Sequence, residues 1–150
     1  MPSFDLISRS AEETTQKGRE LGSQLKPPVL LLLLGDLGAG KTTIAKGIVS
    51  GLGAAREEDV TSPTFTLVHA YRNHVRVYHI DLYRIEGFHD LETLGLEDIF
   101  AEPAVVLVEW AEKLALRTDW PVVRIHLEHM DDESRRITIS DSSGVLRPLS

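Results

Sequence analysis

The apolar positions of this chain change period several times, and each change predicts a different element. Ser10 followed by Glu13 is a capping-box pattern. It opens a helix expected to run to about Leu25, where Pro27 and Pro28 stop it. Val29 to Leu34 is an unbroken apolar run of strand length, read as a central strand buried on both faces of a parallel sheet. A glycine-rich turn follows. Ile44, Ala45, Ile48 and Leu52 then recur at helical spacing, and Gly51 and Gly53 end that helix. Beyond the loop Arg56–Pro63 the period drops to two. Phe65–Tyr71 and Val75–Ile80, separated by Asn73 and His74, predict an antiparallel hairpin. Short helical turns are expected from Asp81 to Phe100, broken at Gly87 and Gly95. Ala104–Val108 is a second buried-strand run and ends in Glu109 and Trp110, with a helix through Ala111–Leu116 expected next. Val122–Leu127 and Arg136–Ser140 alternate and are expected to pair through a turn at Asp131–Ser134, leaving a tail from about Asp141.

Composition narrows the class without naming a chemistry. The 150 residues are about one domain in size, with 42% hydrophobic and 26% charged residues, as in soluble globular proteins. The absence of cysteine excludes disulfides, thiol nucleophiles and cysteine-ligated metals. Sixteen basic residues against 23 acidic ones give a net charge of −7, which disfavours broad electrostatic binding to nucleic acid by this chain alone. The Val29–Leu34 run is too short to cross a bilayer. Asp5, Arg9, Glu12 and Glu13 crowd the opening residues, where no signal-peptide core stands. A single cytoplasmic domain is expected.

The chemistry lies in the turn after the first buried strand. Gly35, Gly40, Lys41 and Thr42 fill every constrained position of the phosphate-binding pattern G-x-x-x-x-G-K-[ST]. Gly35 and Gly40 let backbone N–H groups turn inward, and Gly38 adds freedom. Lys41 supplies a cation for the terminal phosphates, and Thr42 offers a hydroxyl to Mg²⁺. The following helix directs its positive end at the same anion. A P-loop also needs a carboxylate near its metal, and Glu109 ends a neighbouring buried strand; aspartate is the usual residue there. Its longer arm suits contact through a water, and a solvated strand-end acid is the plainer reading. His79, Asp81 and Arg84 place a base, an acid and a cation together, with Asp81 a candidate to hold the attacking water or complete the metal site. Thr61, Ser62 and Thr64 offer hydroxyls, on a backbone that Pro63 sets extended, in a loop suited to ordering on a γ-phosphate. Trp110 either covers the nucleotide or belongs to the core.

Taken together, the motifs resemble the bacterial TsaE (YjeE) ATPases of tRNA threonylcarbamoyladenosine synthesis. The matching residues are Gly35 to Thr43, Ser62 to Phe65, His79 to Arg84, Leu94 to Leu96 and Val108 to Trp110, in family order, within a likeness spanning about Ser10 to Ile139. The resemblance implies a three-layer α/β/α P-loop NTPase fold with a mixed, mainly parallel central sheet. It implies an ATP- and Mg²⁺-dependent accessory subunit, slow alone, working with TsaB-like and TsaD-like partners that modify adenosine 37 of tRNA. Contact with tRNA is then only indirect. Carried over by position, Asp36, Leu37, Gly38, Ala39, Gly40, Lys41, Thr42 and Thr43 wrap the phosphates, while Thr42 and Glu109 coordinate Mg²⁺. Thr61, Ser62, Pro63, Thr64 and Phe65, with His79, Tyr83 and Arg84, become switch-like segments, and Lys41, Asp81 and Glu109 carry turnover. Ser10 and Arg135 are similar to positions flanking the adenosine. A glycine common in the family is missing from the Ser134–Arg136 run, so Arg135 and Arg136 both remain candidates.

Three other functions compete with this one. A small-molecule kinase shares the fold and size, but between Trp110 and Val122 only Lys113 and Arg117 are basic, too few for an arginine-rich lid. A GTPase is expected to carry an N-K-x-D segment that reads guanine, and this sequence has none. A nucleotide-gated interaction module with incidental hydrolysis is the non-enzymatic alternative.

Overall fold

Ser10 accepts a hydrogen bond from the Glu13 backbone N–H at 3.0 Å, and this cap begins the first helix where the sequence predicts it. The computed structural model describes residues 3–36, 38–63, 67–86, 94–111, 118–131, 133–142, 144 and 146–149. In chain order it contains β1 (Ser3–Ser8), α1 (Ala11–Gly22), β2 (Val29–Leu34), α2 (Lys41–Gly51), a 3-10 turn (Glu57–Asp59), β3 (Val68–Tyr71) and β4 (Val77–Asp81). A short α3 (Leu96–Ile99), β5 (Val105–Glu109), β6 (Val122–His129) and β7 (Arg135–Asp141) complete it. The expected helix at 111–116 and the Phe65 end of the hairpin fall outside the described residues, Ala111 excepted.

The strands form one sheet in the order β1-β7-β6-β2-β5-β4-β3. Its four middle strands run parallel: β2 pairs with both β5 and β6, and β5 pairs with β4. The flanks are antiparallel, through β3 against β4, β6 against β7, and β7 against β1. This is the mixed, mainly parallel sheet that the sequence predicts.

Alternation divides the core between the two faces. Leu31, Leu33, Leu107 and Val77 pack with Ile44 and Ile48 of α2 and Leu21 of α1. Leu30, Ile80, Val106 and Val108 face the other way, against Ile99 of α3. Each fully buried leucine or isoleucine contributes roughly 1.5–3 kcal/mol relative to exposure. The β2 run is apolar throughout because both faces are covered.

Three boundaries differ from expectation. Helix α1 stops at Gly22, short of Leu25: Gln24 N–H and Leu25 N–H bond back only three residues, to Leu21 and Gly22, tightening the chain before the prolines. The β1 strand was not predicted, although Phe4 and Leu6 alternate with polar Ser3 and Asp5. Its pairing partner, β7, lies at the far end of the sequence, with Ser3 opposite Ser140. Asp141 closes β7, fully buried, and its carboxylate accepts the Leu146 N–H at 2.8 Å while Leu146 packs on the core.

The two long helices meet along glycine. A Cβ on Gly47 would stand 2.0 Å from the Thr15 carbonyl oxygen, and one on Gly22 would stand 2.3 Å from that of Ile48. Only hydrogen fits at these crossings, so α1 lies directly on the helix that follows the P-loop.

Candidate nucleotide-binding site

Strands β2, β4 and β5 end level with one another, because Asp81 stands opposite Glu109 and Glu109 opposite Leu33. The loop leaving β2 therefore meets both acids at the carboxyl edge of the sheet, where α/β proteins place their ligands. Residues His79, Asp81 and Glu109 share the strand parity of Val77 and Leu107, which pack toward α2.

The loop itself is shaped by glycine. Gly35 has φ 141°, and a Cβ there would lie 2.4 Å from the Leu127 carbonyl oxygen of β6. Gly35 thus lets the loop lie against β6, a packing task beyond the clearing of space for phosphates. Gly40, at φ 104°, leads into α2, and no side chain caps that end and no acid occupies its first turn. The positive end of the helix is left facing the loop, as an anion site requires.

Lys41 is 5% exposed. Its ammonium donates to the Gly35 carbonyl oxygen and stands 3.3 Å from the centre of the Trp110 ring. Trp110 holds φ 60°, a strained backbone for a bulky residue. The strain turns its indole back over the lysine, and Tyr83, 44% exposed, packs against it at 4.9 Å between ring centres. Trp110 packs against the core on one face of the sheet and also lines the same cleft of about 300 Å³ as Lys41, Thr42, Asp81, Glu109 and Arg135.

Thr42, in the first turn of α2, donates its hydroxyl hydrogen to the Glu109 carboxylate, at 3.1 and 3.2 Å from the two oxygens. Glu109 is 3% exposed, and its Oε2 accepts from Nε2 of wholly buried His79 at 2.6 Å. A hydroxyl and a carboxylate are the hard oxygen donors that Mg²⁺ prefers, so this pair fits that ion. Asp81, also buried, accepts from the Ser62 hydroxyl at 3.0 Å and from the Tyr83 N–H at 2.8 Å. Arg135 donates from Nε to the Ala39 carbonyl oxygen at 3.1 Å and from Nη2 to that of Gly38 at 3.2 Å, while Arg136 is exposed on β7. Arg135 is therefore the arginine at the loop.

Half of the candidate residues line this cleft. Thr43 lines it and also a side pocket of about 90 Å³ between α1 and β7, shared with Ala11, Thr14, Glu133 and Arg135. Ser10 is committed to capping α1. Asp36 and Thr61 are exposed, Ala39 and Pro63 are buried, and Arg84 lies on the surface. Leu37, Thr64 and Phe65 lie outside the described residues. The sequence reading did not find Glu133, nor that His79 would touch Glu109. Nothing local signals either contact, because both join separate elements.

The family model described as "Threonylcarbamoyl adenosine biosynthesis protein TsaE" matches residues 8–137. The chain belongs to the TsaE family. A TsaE protein of Treponema pallidum is 36% identical over 134 residues, covering 89% of this chain and 98% of that one. The TsaE protein of Bacillus subtilis is 40% identical over 130 residues, covering 86% and 80%. The crystal structure of Bacillus subtilis YdiB superposes with a TM-score of 0.71 at 32% identity, covering 93% of this chain and 86% of that one. The TsaE match and this neighbour give the fold as the P-loop NTPase fold. Among the described residues, no helix is long and apolar enough to cross a membrane.

Proposed function

We propose that this chain is a slow, Mg²⁺-dependent ATPase that serves tRNA threonylcarbamoylation in the cytoplasm, working with TsaB-like and TsaD-like partners. The relatives carry the name tRNA threonylcarbamoyladenosine biosynthesis protein, which supports the pathway. The observation that supports the chemistry is the meeting of Lys41 and Thr42, at the start of α2, with Glu109 from β5.

The division of labour follows from the residues. The loop from Asp36 to Thr43 and the end of α2 bind the phosphates, and Lys41 leaves its Gly35 carbonyl to neutralise them. Thr42 and Glu109 hold Mg²⁺, which supplies charge neutralisation at the transferred phosphoryl group. Asp81, fixed by Ser62 and Tyr83, orients the attacking water. Tyr83 and Trp110 line the cleft and Tyr83 is exposed, so a partner docking against it completes the site and accelerates turnover.

ATP turnover by the purified chain, measured alone and with TsaB-like and TsaD-like proteins, tests the proposal. Slow turnover that rises with the partners is expected. No Mg²⁺-dependent hydrolysis under either condition overturns it, and transfer of the phosphate to a metabolite makes the protein a kinase instead.

A further inference from the structure

His79 is an unusual residue to bury in an apolar strand. The whole side chain is inaccessible, in a β4 whose residues are all buried. Its Nε2 lies 2.6 Å from Glu109 Oε2, and among the described residues its Nδ1 has no hydrogen-bond partner. A carboxylate only accepts, so Nε2 carries the hydrogen and the imidazole makes a single polar bond. An aliphatic side chain of similar size would fill the same space without a ring nitrogen left unpaired, whose burial costs roughly 1–3 kcal/mol. The polar character of residue 79 has one visible use, and it is Glu109.

Glu109 needs such a partner. It is longer than the aspartate more usual at this strand end and has one further rotatable bond between backbone and carboxylate. The Thr42 hydroxyl, almost equally distant from both carboxylate oxygens at 3.1 and 3.2 Å, does not select one of them. His79 does, by pinning Oε2 alone. A hydrogen bond to one oxygen of a metal-binding carboxylate is a known way to orient the group toward the ion. We propose that His79 is a positioning residue that orients the Glu109 carboxylate toward the Thr42 hydroxyl, so that the pair is preset to receive Mg²⁺. This rests on the nucleotide site argued above and adds a residue that acts through Glu109.

The test compares His79→Leu with His79→Gln in the full chain, since a glutamine amide N–H reaches about where Nε2 stands. ATP affinity is measured by calorimetry with EDTA and with Mg²⁺, alongside turnover and the melting temperature. The ratio of the two affinities reads the metal site without relying on activity. For His79→Leu, affinity in EDTA stays within about twofold of the unsubstituted chain, while the Mg²⁺-dependent gain and turnover fall about 10- to 100-fold. His79→Gln recovers most of both. An unchanged Mg²⁺-dependent gain in His79→Leu overturns the positioning role, as does an equal loss in both variants. If His79→Leu does not fold, His79→Asn replaces it, because the shorter amide reaches only toward the place of Nδ1; its failure to differ from His79→Gln is then decisive against the role. Should the unsubstituted chain bind no ATP, the nucleotide site itself fails. ATP binding that responds to Mg²⁺ but not to residue 79 defeats only this inference.

Discussion

Lys41 spends its charge within the protein, between the Gly35 carbonyl oxygen and the face of Trp110. Phosphates offer it stronger partners, because both groups are then charged, whereas the carbonyl is neutral. Lys41→Ala is therefore expected to weaken ATP binding about 10- to 100-fold, from the loss of one or two charge-assisted bonds. Titration calorimetry checks it, and unchanged affinity removes Lys41 from the site. Asp81 is held differently, by Ser62 and the Tyr83 N–H, both of which Asn also satisfies. Asp81→Asn is expected to leave ATP affinity within about threefold and to lower turnover about 100-fold, the usual scale of a lost acid–base or water-orienting group. Equal loss of binding would make Asp81 part of the metal site. At this scale the sequence was informative where a motif fixes spacing, as at Gly35, Gly40, Lys41 and Thr42. It was silent on Glu133 and on the bond from His79 to Glu109, because those contacts depend on which strands lie side by side.

Between elements, α1 crosses α2 at backbone contact along their glycines. Gly47→Ala would place a methyl 2.0 Å from the Thr15 carbonyl oxygen and 2.9 Å from the Arg19 nitrogen, both backbone atoms that cannot rotate away. Alanine favours helix over glycine by about 1 kcal/mol, yet overpacking of this kind commonly costs about 1–3 kcal/mol, and here it meets backbone. The expected net effect is a loss of about 2 kcal/mol, lowering the melting temperature by roughly 4–8 °C for a chain of this size, as calorimetry would read. A raised melting temperature would mean that the helices part easily. The helix starts, the buried strands and the hairpin were legible because capping residues and periodicity act locally. The β1 strand was not legible because it is an edge strand whose hydrogen bonds go to β7 at the opposite end of the chain.

For the molecule as a whole, the charge of −7 bears on how it meets tRNA. Like charges repel over about 8–10 Å at physiological salt, so the isolated chain is expected to bind tRNA weakly, and its partners to hold the RNA. Filter binding near 0.15 M salt checks this, and tight binding without partners would reverse it. The order of the sheet sets a second condition, on synthesis. Strand β2 delivers the P-loop, yet both of its neighbours, β5 and β6, are made long after it. On the ribosome the complete G-x-x-x-x-G-K-[ST] motif emerges early but has no sheet to stand on until residues 105–129 follow. A fragment ending at Ala104 keeps every residue of that motif and is expected to show no cooperative melting and no nucleotide binding. The six apolar residues of β2 are then a stretch of nascent chain that waits long for cover, and one that a holdase chaperone would meet.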